Sequence, residues 1–565
     1  MKRLLFILPL LFVATAIMAV PAKRGIWKNV RLADGTEVRV TLRGDEHGHF
    51  WAADDGRMYL ESENGVYRQV EAEELRIHAA KRRTASNARR AKRMPARKKV
   101  GEVGNYTGQK KGIIILVSFS DLSFRTSADY FRRIVNEENF SDGNFCGSMS
   151  DYFKAQSGGQ FELTFDVVGP VKVSKRASYY GANDANGDDK YAATMVIEAL
   201  KLADSQVNYA DYDWDGDGEV DQVYVVYAGK GEADGGAEST IWPHEYALSA
   251  AGYYGDGSGR QFLDGVWIDT YACGSEQNGS GILAGIGTMC HEFSHCLGYP
   301  DFYDTDYSGG QGMFEWDLMD QGSYNNNGYC PAGYTAYERW VAGWTTPIEL
   351  TETLQVDSLQ ASQNGGESYI IYNPGERNEF FLMENRQKVG WDRYIPGKGL
   401  LIMHVDYDET VWANNQPNDD PKHQRMTWIP ADNIYQSNYY GYTTSGAAND
   451  PFPYNTKRSF DKDTKPAAKF YNMSTDGTYY MDSSVKNITR NNDGTISFLF
   501  EAPDNGGGNG ADAIEDIVSS SVPQNAVVYD LCGRKVGRMI DGRWQLDGGC
   551  RPSGVYIVGG RKVVK

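Results

Sequence analysis

The sequence predicts an α+β protein with an N-terminal pro-segment and C-terminal all-β domains. Three observations carry this prediction. Strand and helix patterns alternate between residues 108 and 345, where the apolar run 112–117 indicates a buried strand and residues 192–203 a helix. After about residue 346, short apolar runs separated by turn residues are typical of strands alone. Before residue 105, glycine-rich turns alternate with short strand-like stretches, which indicates a small β unit.

The N-terminus predicts export. Met1-Lys2-Arg3 is followed by an apolar run to Met18 and by small residues, which favours a signal peptide at residues 1–19 cleaved after Ala19. Residues 20–107 then form the predicted pro-segment. It ends in a basic stretch, 81–99, with ten Lys or Arg in nineteen residues. Such a stretch is either a solvated surface or an exposed processing linker, and both readings stay open.

The remaining boundaries follow changes in composition. A mixed domain covers residues 108–345, a β-sandwich-like accessory domain 346–502, a Gly-rich linker 503–513 and a small β domain 514–565. The net charge of −18 argues against a nucleic-acid binder and suits an extracellular protein. No stretch after the signal is apolar for eighteen residues, so no integral membrane segment is expected. The seven cysteines leave at least one thiol free, and Cys532 and Cys550 lie close enough in the last domain to be a candidate pair.

Residues 291–301 carry the clearest chemical signal. His291 and His295 stand four residues apart, so a helix presents both imidazoles to one metal ion. Glu292 follows the first histidine and would stand beside the metal as a general base. A zinc site with three protein ligands keeps a position for water and lowers that water's pKa to about 7. The pattern therefore predicts Zn²⁺ and metal-assisted hydrolysis, most often of peptide bonds.

The third ligand is predicted from the chain reversal that follows. Gly298 can end the helix and Pro300 cannot continue it, so Asp301 returns toward the histidines. A glutamate on a later element, Glu315 or Glu338, is the alternative third ligand.

The HExxHxxGxPD motif, followed by WDLMD at 316–320, resembles the M6 peptidases, secreted metalloproteases similar to immune inhibitor A and related to the metzincins. This likeness covers roughly residues 108–410. It implies a metzincin-like catalytic domain, zinc on His291, His295 and Asp301, and Met319 in the Met-turn below the metal. Metzincins often carry a tyrosine two residues after that methionine, where this chain has Gln321. Tyr324 is a weaker candidate for the oxyanion or substrate.

His244 is a second candidate for substrate contact, although a structural hydrogen-bonding role is the more frequent one for such a histidine. Latency by a cysteine switch is excluded, because no cysteine precedes Cys146. His47 or Asp45 could instead cap the zinc in the zymogen.

An acidic loop precedes a predicted strand. Acidic residues alternate around a glycine in the manner of an EF-hand loop, which predicts Ca²⁺. The predicted ligands are Asp213, Asp215, Asp217, the Glu219 carbonyl and Asp221. Tyr224 occupies the twelfth position, so a carboxylate from elsewhere is required. Residues 183–188 and the pair Asp304 and Asp306 are looser calcium candidates.

The C-terminal domain resembles the sorting domains of type IX secretion in its GRKV and GVYIV stretches. That likeness implies passage across an outer membrane and possible surface attachment. Together these features predict a secreted or cell-surface zinc-dependent endopeptidase, made as a zymogen and acting on proteins or peptides. The alternative is a catalytically inactive adhesin on a peptidase scaffold.

Overall fold

A computed structural model describes residues 20–46, 48–62, 65–71, 74–75, 106–183, 189–253, 255–436 and 447–503, and five strands between 527 and 564. The chain divides into two compact units, Met1–Pro503 and Asp504–Lys565. The predicted signal peptide, the basic stretch, His47 and both Cys532 and Cys550 lie outside the described residues. So does most of the looser acidic loop at 183–188.

The N-terminal sheet is an antiparallel meander in the order β1-β2-β3-β4-β5. Its strands are β1 (Trp27–Arg31), β2 (Glu37–Asp45), β3 (Gly48–Ala53), β4 (Met58–Ser62) and β5 (Val66–Val70). One face buries Val40, Leu42 and Tyr59 in a hydrophobic cluster with Ala233 and Trp242 of the following domain. This sheet is therefore packed against the residues that the sequence assigns to the catalytic domain.

The central sheet has the order β7-β6-β8-β12-β9. Its strands β6, β7, β8 and β12 pair in parallel, while β9 runs antiparallel to β12 at the edge. The bounds are β6 (Gly108–Ser118), β7 (Phe161–Lys172), β8 (Val223–Lys230), β9 (His244–Ala247) and β12 (Thr270–Gln277), and a separate hairpin holds β10 (Gln261–Leu263) and β11 (Val266–Ile268). Strand β6 is buried from Gly112 onward, as its apolar run predicts.

Six helices accompany this sheet. They are α1 (Ala128–Asn136), α2 (Met149–Gln156), α3 (Ala177–Gly181), α4 (Ala192–Ala203), α5 (Leu248–Tyr253) and α6 (Gly287–Cys296). Ser148 caps α2 in a capping box with Asp151. Helix α6 ends before Gly298, whose φ of +93° is the left-handed conformation that a helix C-terminus favours. Phe293 anchors α6 against the rings of Phe153 and Phe165.

The second half begins with helix α7 (Ala336–Val341) and forms two antiparallel-rich sheets. One has the order β13-β15-β16-β17-β18 and the other β14-β20-β19. The bounds are β13 (Ile348–Glu349), β14 (Leu354–Leu359), β15 (Ser368–Asn373), β16 (Glu376–Arg386), β17 (Gly399–Asp406), β18 (Met426–Trp428), β19 (Ser484–Arg490) and β20 (Ile496–Glu501), with helix α8 (Glu409–Ala413) between β17 and β18.

The larger of these sheets is buried on both faces. Along β16, Phe381 and Met383 pack toward β19 and β20, while Phe380 and Leu382 join the hydrophobic core of the central sheet. Alternate side chains of a strand point to opposite faces, so one strand serves both cores. The accessory sheets and the central sheet thus share one continuous packing arrangement.

The C-terminal unit is a five-stranded antiparallel sheet in the order β23-β22-β21-β24-β25. Its strands are β21 (Val527–Tyr529), β22 (Lys535–Ile540), β23 (Arg543–Leu546), β24 (Val555–Val558) and β25 (Arg561–Val564). Within the described part of the chain, no helix is long and apolar enough to cross a membrane.

A disulfide joins Cys146, just before α2, to Cys330, and it closes a loop of 184 residues that contains α6. The cysteine spacing did not reveal this pair. Cys273, Cys290 and Cys296 are free thiols.

We expect the double variant Cys146→Ser/Cys330→Ser to lose stability. Closing a loop of this length removes chain entropy from the unfolded state worth roughly 5 kcal/mol, which is an upper value for the loss. Differential scanning fluorimetry of the variant should give a lower Tm than wild type. A reductant should lower the wild-type Tm toward that of the variant and leave the variant unchanged. Equal Tm values with and without reductant in both proteins would contradict the pairing.

Candidate metal centre

Helix α6 presents His291 and His295 on one face, with their Nε2 atoms 3.1 Å apart. Each Nδ1 lies 2.8 Å from a backbone carbonyl, that of Leu318 for His291 and that of Tyr299 for His295. A carbonyl only accepts, so each Nδ1 carries the proton and each Nε2 presents a lone pair. Burial lowers the pKa of His295 to about 4, which keeps this ring neutral.

Asp301 meets the two histidines after the reversal at Gly298. Its Oδ1 lies 3.1 Å from Nε2 of His291 and 3.4 Å from Nε2 of His295. The Oδ2 atom accepts a hydrogen bond of 2.6 Å from Asn415 Nδ2, and Asn415 Oδ1 accepts one of 2.7 Å from the Asp301 backbone nitrogen. Oδ1 is buried and receives no hydrogen bond from the described residues.

These three atoms fit a zinc ion. Zn–N bonds of 2.0–2.1 Å in a tetrahedral site place neighbouring ligand atoms about 3.3 Å apart, close to the separations of 3.1, 3.1 and 3.4 Å. Two nitrogen lone pairs and a bare carboxylate oxygen meet with no proton between them. A cation bound between such buried acceptors would offset the cost of their desolvation. The outer carbonyls and Asn415 supply the second set of contacts that metal-binding side chains usually have.

The alternative third ligands lie elsewhere. Glu338 forms a capping box at the start of α7, where its Oε2 accepts hydrogen bonds from Thr335. Glu315 is on a 3-10 turn, Phe314–Trp316. Asp301 Oδ1, by contrast, lies within 3.4 Å of the Nε2 atoms of both histidines. The Leu318 carbonyl on His291 brings the buried Met319 turn against α6, in the position where the sequence expects a Met-turn.

Glu292 is fully buried beside the histidines. Burial raises the pKa of its carboxyl well above the ordinary value. Its Oε1 accepts a 2.9 Å hydrogen bond from the backbone nitrogen of Val20, and its Oε2 receives no hydrogen bond from the described residues. The first residue after the predicted signal cleavage therefore reaches the candidate base.

Residues 20–24, here called the N-terminal segment, lie along the site. The Val20 carbonyl accepts a hydrogen bond of 3.0 Å from Trp242 Nε1, and the Pro21 carbonyl accepts one of 3.0 Å from the Tyr324 hydroxyl. Both carbonyls are thus held by side chains of the central domain. Tyr324, one of the two candidates for substrate contact, touches a peptide carbonyl beside Glu292.

The segment continues in extended contacts. The Ala22 carbonyl accepts a 3.2 Å hydrogen bond from Gln321 Nε2, the residue at which this chain departs from the usual metzincin tyrosine. The Lys23 backbone nitrogen donates to the Ala233 carbonyl at 2.9 Å, and Lys23 Nζ lies 3.1 and 3.2 Å from the two carboxylate oxygens of Asp234. Main-chain groups of residues 20 to 23, and the side chain of Lys23, therefore contact the central domain.

His244 has both ring nitrogens engaged inside the protein. Its Nδ1 lies 2.7 Å from the Trp242 carbonyl and its Nε2 2.9 Å from the Tyr271 hydroxyl. This favours the structural role over direct substrate contact. His244 still bears on the site, because it fixes the backbone beside Trp242, which holds the N-terminal segment.

The acidic loop is folded as a compact turn. Asp213, Asp215 and Asp217 bring carboxylate oxygens within 4.8 Å of one another. Asp221 packs against the same loop and accepts a hydrogen bond from the Trp214 nitrogen, and burial raises its pKa to about 7. Glu219 forms a β-bridge with Trp267. A second group joins Asp304 and Asp306 to Asp419, which sequence reasoning did not include.

Three contributors to the site escaped sequence reasoning. They are Asn415, Trp242 and Val20, which contact Asp301, the N-terminal segment and Glu292. Asn415 follows the metal ligand by 114 residues and no motif marks it. For Val20 a signal existed, since the predicted cleavage after Ala19 makes it the first residue of the exported chain.

Comparison with known proteins places this geometry in context. Residues 99–344 match the model of the immune inhibitor A peptidase M6 catalytic domain. The chain is 30% identical over 258 residues to the pre-pro-metalloprotease PrtV of Vibrio cholerae, which covers 38% of this chain and 28% of that protein. It is 26% identical over 255 residues to immune inhibitor A of Bacillus thuringiensis. That match covers 39% of this chain and 36% of the relative. The chain thus spans about a third of the length of these curated relatives.

The stretch that carries His291, Glu292, His295 and Asp301 is therefore similar to the catalytic domain of M6 peptidases.

Proposed function

We propose that this protein is a secreted zinc-dependent endopeptidase, made as a zymogen, that hydrolyses peptide bonds of extracellular proteins. The observation that carries the proposal is the buried meeting of His291 Nε2, His295 Nε2 and Asp301 Oδ1 within 3.1 to 3.4 Å. The similarity of residues 99–344 to the M6 catalytic domain supports the same activity.

His291, His295 and Asp301 would hold the zinc, which when bound polarises a peptide carbonyl and makes water acidic. Glu292 takes the proton of the attacking water on its carboxylate and later passes it to the leaving amine. The Val20 nitrogen, 2.9 Å from Glu292 Oε1, stands where such an amine would be. Trp242 and Tyr324 hold the carbonyls next to it and would orient substrate in the same way.

Export rests on the sequence of residues 1–19, and a sorting role of residues 514–565 rests on their resemblance to type IX domains. We propose that the C-terminal sheet directs outer-membrane passage and possible surface attachment. Truncation before residue 504 should then leave the protein inside the cell envelope in a cell-fractionation assay, and normal export of the truncated chain would overturn this role.

The alternative function, an inactive adhesin, predicts a damaged site. The described residues instead keep both histidines, the aspartate and the buried glutamate in contact distance. An adhesin has no need to keep a carboxylate as deeply buried as Glu292.

We expect Glu292→Gln to bind zinc as wild type does and to lose casein cleavage. A general base contributes about 10²- to 10⁴-fold to the rate, so activity should fall by that factor. The measurement combines casein hydrolysis with zinc content by mass spectrometry. It uses protein from which the pro-segment has been removed and which keeps all later residues. Asp301→Asn should lose both zinc and activity, because the side chain of the third ligand loses its negative charge.

Glu315→Gln is the matched control for the third ligand and should retain zinc and activity. Zinc loss in Glu315→Gln with retention in Asp301→Asn would reverse the assignment. Wild type with zinc bound but no cleavage of any peptide would leave the adhesin alternative in place.

We propose further that residues 20–107 keep the enzyme latent through the N-terminal segment. Signal cleavage after Ala19 turns the Val20 nitrogen into a free ammonium beside the Glu292 carboxylate, and such a charged hydrogen bond is stronger than a neutral one. The segment's carbonyls meanwhile occupy the groups that would hold substrate. We propose it beside the His47 or Asp45 cap that the sequence suggested: Asp45 Oδ2 accepts a hydrogen bond of 3.4 Å from the Tyr303 hydroxyl, and His47 lies outside the described residues.

The synthetic peptide Val-Pro-Ala-Lys-Arg-Gly, which copies residues 20–25, should therefore inhibit the activated enzyme. Its N-acetylated form should bind at least about tenfold more weakly, because the ammonium–carboxylate contact is lost. Inhibition constants from a fluorogenic peptide assay test this, with a scrambled peptide as control. Equal inhibition by the free and acetylated peptides would contradict the role of the amino group.

We also propose that Ca²⁺ binds the loop of Asp213, Asp215 and Asp217, with Glu219 and Asp221 nearby. The convergence of the first three carboxylates and the partly buried Asp221 support this. Strand β8 follows the loop directly and carries Tyr224 behind the active site, so calcium would stiffen the strand that supports it.

Chelation by EGTA should lower the Tm of wild type without removing zinc. Binding to the folded state alone stabilises it by about 2.7 kcal/mol at a calcium concentration of 100 Kd. Asp215→Asn should lower the Tm in calcium and blunt the EGTA effect, whereas Asp211→Asn, just outside the cluster, should behave as wild type. A calcium-independent Tm in wild type would exclude the site.

A further inference from the structure

A pocket opens beside the N-terminal segment. Its rim includes Ala233, Asp234 and Tyr324, each of which contacts the segment. Thr288 and Met289, one turn before His291 on α6, line the same pocket. The pocket therefore lies beside α6, close to His291 and Glu292. It is on the side along which the N-terminal segment runs from its contact with Glu292.

Part of the wall of this pocket is apolar. Phe131 and Ile134 of α1 line it together with Met289. Gly274 also lies in the wall, and a Cβ there would come within 2.6 Å of the Tyr224 hydroxyl. The absence of a side chain at Gly274 leaves room around that hydroxyl. A long, flexible side chain could thus lay its methylene groups along the walls.

The lining also includes two buried polar groups with unpartnered atoms. Glu276 is 1% exposed, and its Oε1 accepts hydrogen bonds from the backbone nitrogens of Arg125 and Thr126 at 2.7 and 2.6 Å. Its Oε2 has no hydrogen-bond partner among the described residues, and the same holds for the fully buried Tyr224 hydroxyl. A buried carboxylate oxygen without a donor is costly, and a cationic ligand would relieve that cost.

The rim already shows a basic side chain in place. Lys23 of the N-terminal segment pairs with Asp234 at 3.1 Å. Two carboxylates, those of Asp234 and Glu276, thus line a pocket whose wall is partly apolar. This combination of walls and ends matches the shape of lysine and arginine side chains, which are apolar along the stem and positive at the tip.

We propose that this pocket is a specificity subsite that selects a lysine or arginine within the first four residues on the leaving-amine side of the scissile bond. Glu276 and the Tyr224 hydroxyl receive the cationic tip, and Asp234 adds negative charge at the entrance. The inference rests on the proposed peptidase function and names the class of substrate that the enzyme prefers.

The test is specificity profiling of the activated full-length protein on a proteome-derived peptide library, read by mass spectrometry. Activation uses a glutamyl-specific serine protease that is then blocked, so that no cleavage by a basic-specific protease enters the profile. In wild type, lysine or arginine should be enriched at one of these four positions. Matched fluorogenic peptides with arginine or norleucine there should differ in kcat/KM by at least about tenfold.

Glu276→Gln should reduce this arginine-to-norleucine ratio to near one, and Tyr224→Phe should reduce it in part. Glu162→Gln removes one acidic group from β7, at the opposite edge of the sheet, and should keep the wild-type ratio. Cleavage by wild type without basic enrichment on the leaving-amine side would overturn the subsite, as would a full ratio in a folded Glu276→Gln protein. Absence of any cleavage by zinc-loaded wild type would instead overturn the peptidase function itself.

Discussion

The buried convergence of three lone-pair atoms is the constraint on which the rest of the structure depends. His291, His295 and Asp301 direct acceptor atoms at one point from which the protein excludes water. Without a cation, this arrangement would lose the hydration of a carboxylate and gain nothing in return. The Leu318 and Tyr299 carbonyls and the Asn415 amide keep the atoms from turning away to other partners. Packing thus holds the three acceptor atoms together although they repel one another. We expect this arrangement to give the site its affinity for a metal ion.

That constraint explains why the accessory sheets cannot be regarded as a detachable domain. Asn415 follows α8, beyond β17, and it holds both the backbone and the carboxylate of Asp301. Strand β16 contributes alternate side chains to two hydrophobic cores. Removal of the second half would expose the hydrophobic core of the central sheet. It would also remove the Asn415 hydrogen bonds that hold Asp301, the proposed third ligand. The geometry around Asp301 therefore depends on a residue beyond the stretch that resembles the M6 catalytic domain, which ends at residue 344.

The sequence predicted what local spacing determines. The helix with His291 and His295, the reversal at Gly298 and the return of Asp301 follow from periodicity and backbone preferences within eleven residues. The buried strand at 112–117 and the turn-rich N-terminal sheet follow in the same way. Contacts between distant residues did not follow. The Cys146–Cys330 disulfide, the Asn415 amide and the order β7-β6-β8-β12-β9 depend on tertiary packing, for which a single sequence has no periodic signal.

In the proposed zymogen, the N-terminal segment would connect latency with substrate recognition through one set of contacts. Trp242 and Tyr324 donate hydrogen bonds to backbone carbonyls of the segment. Such bonds depend on the peptide backbone and not on the identity of the side chains. A segment that uses them competes with every substrate, so latency does not require resemblance to a particular one. Side-chain selectivity has to come from elsewhere, and the contact of Lys23 with Asp234 is where the segment approaches the acidic pocket. Val20 to Ala22 would then supply general affinity, while the charged residue that follows adjusts it.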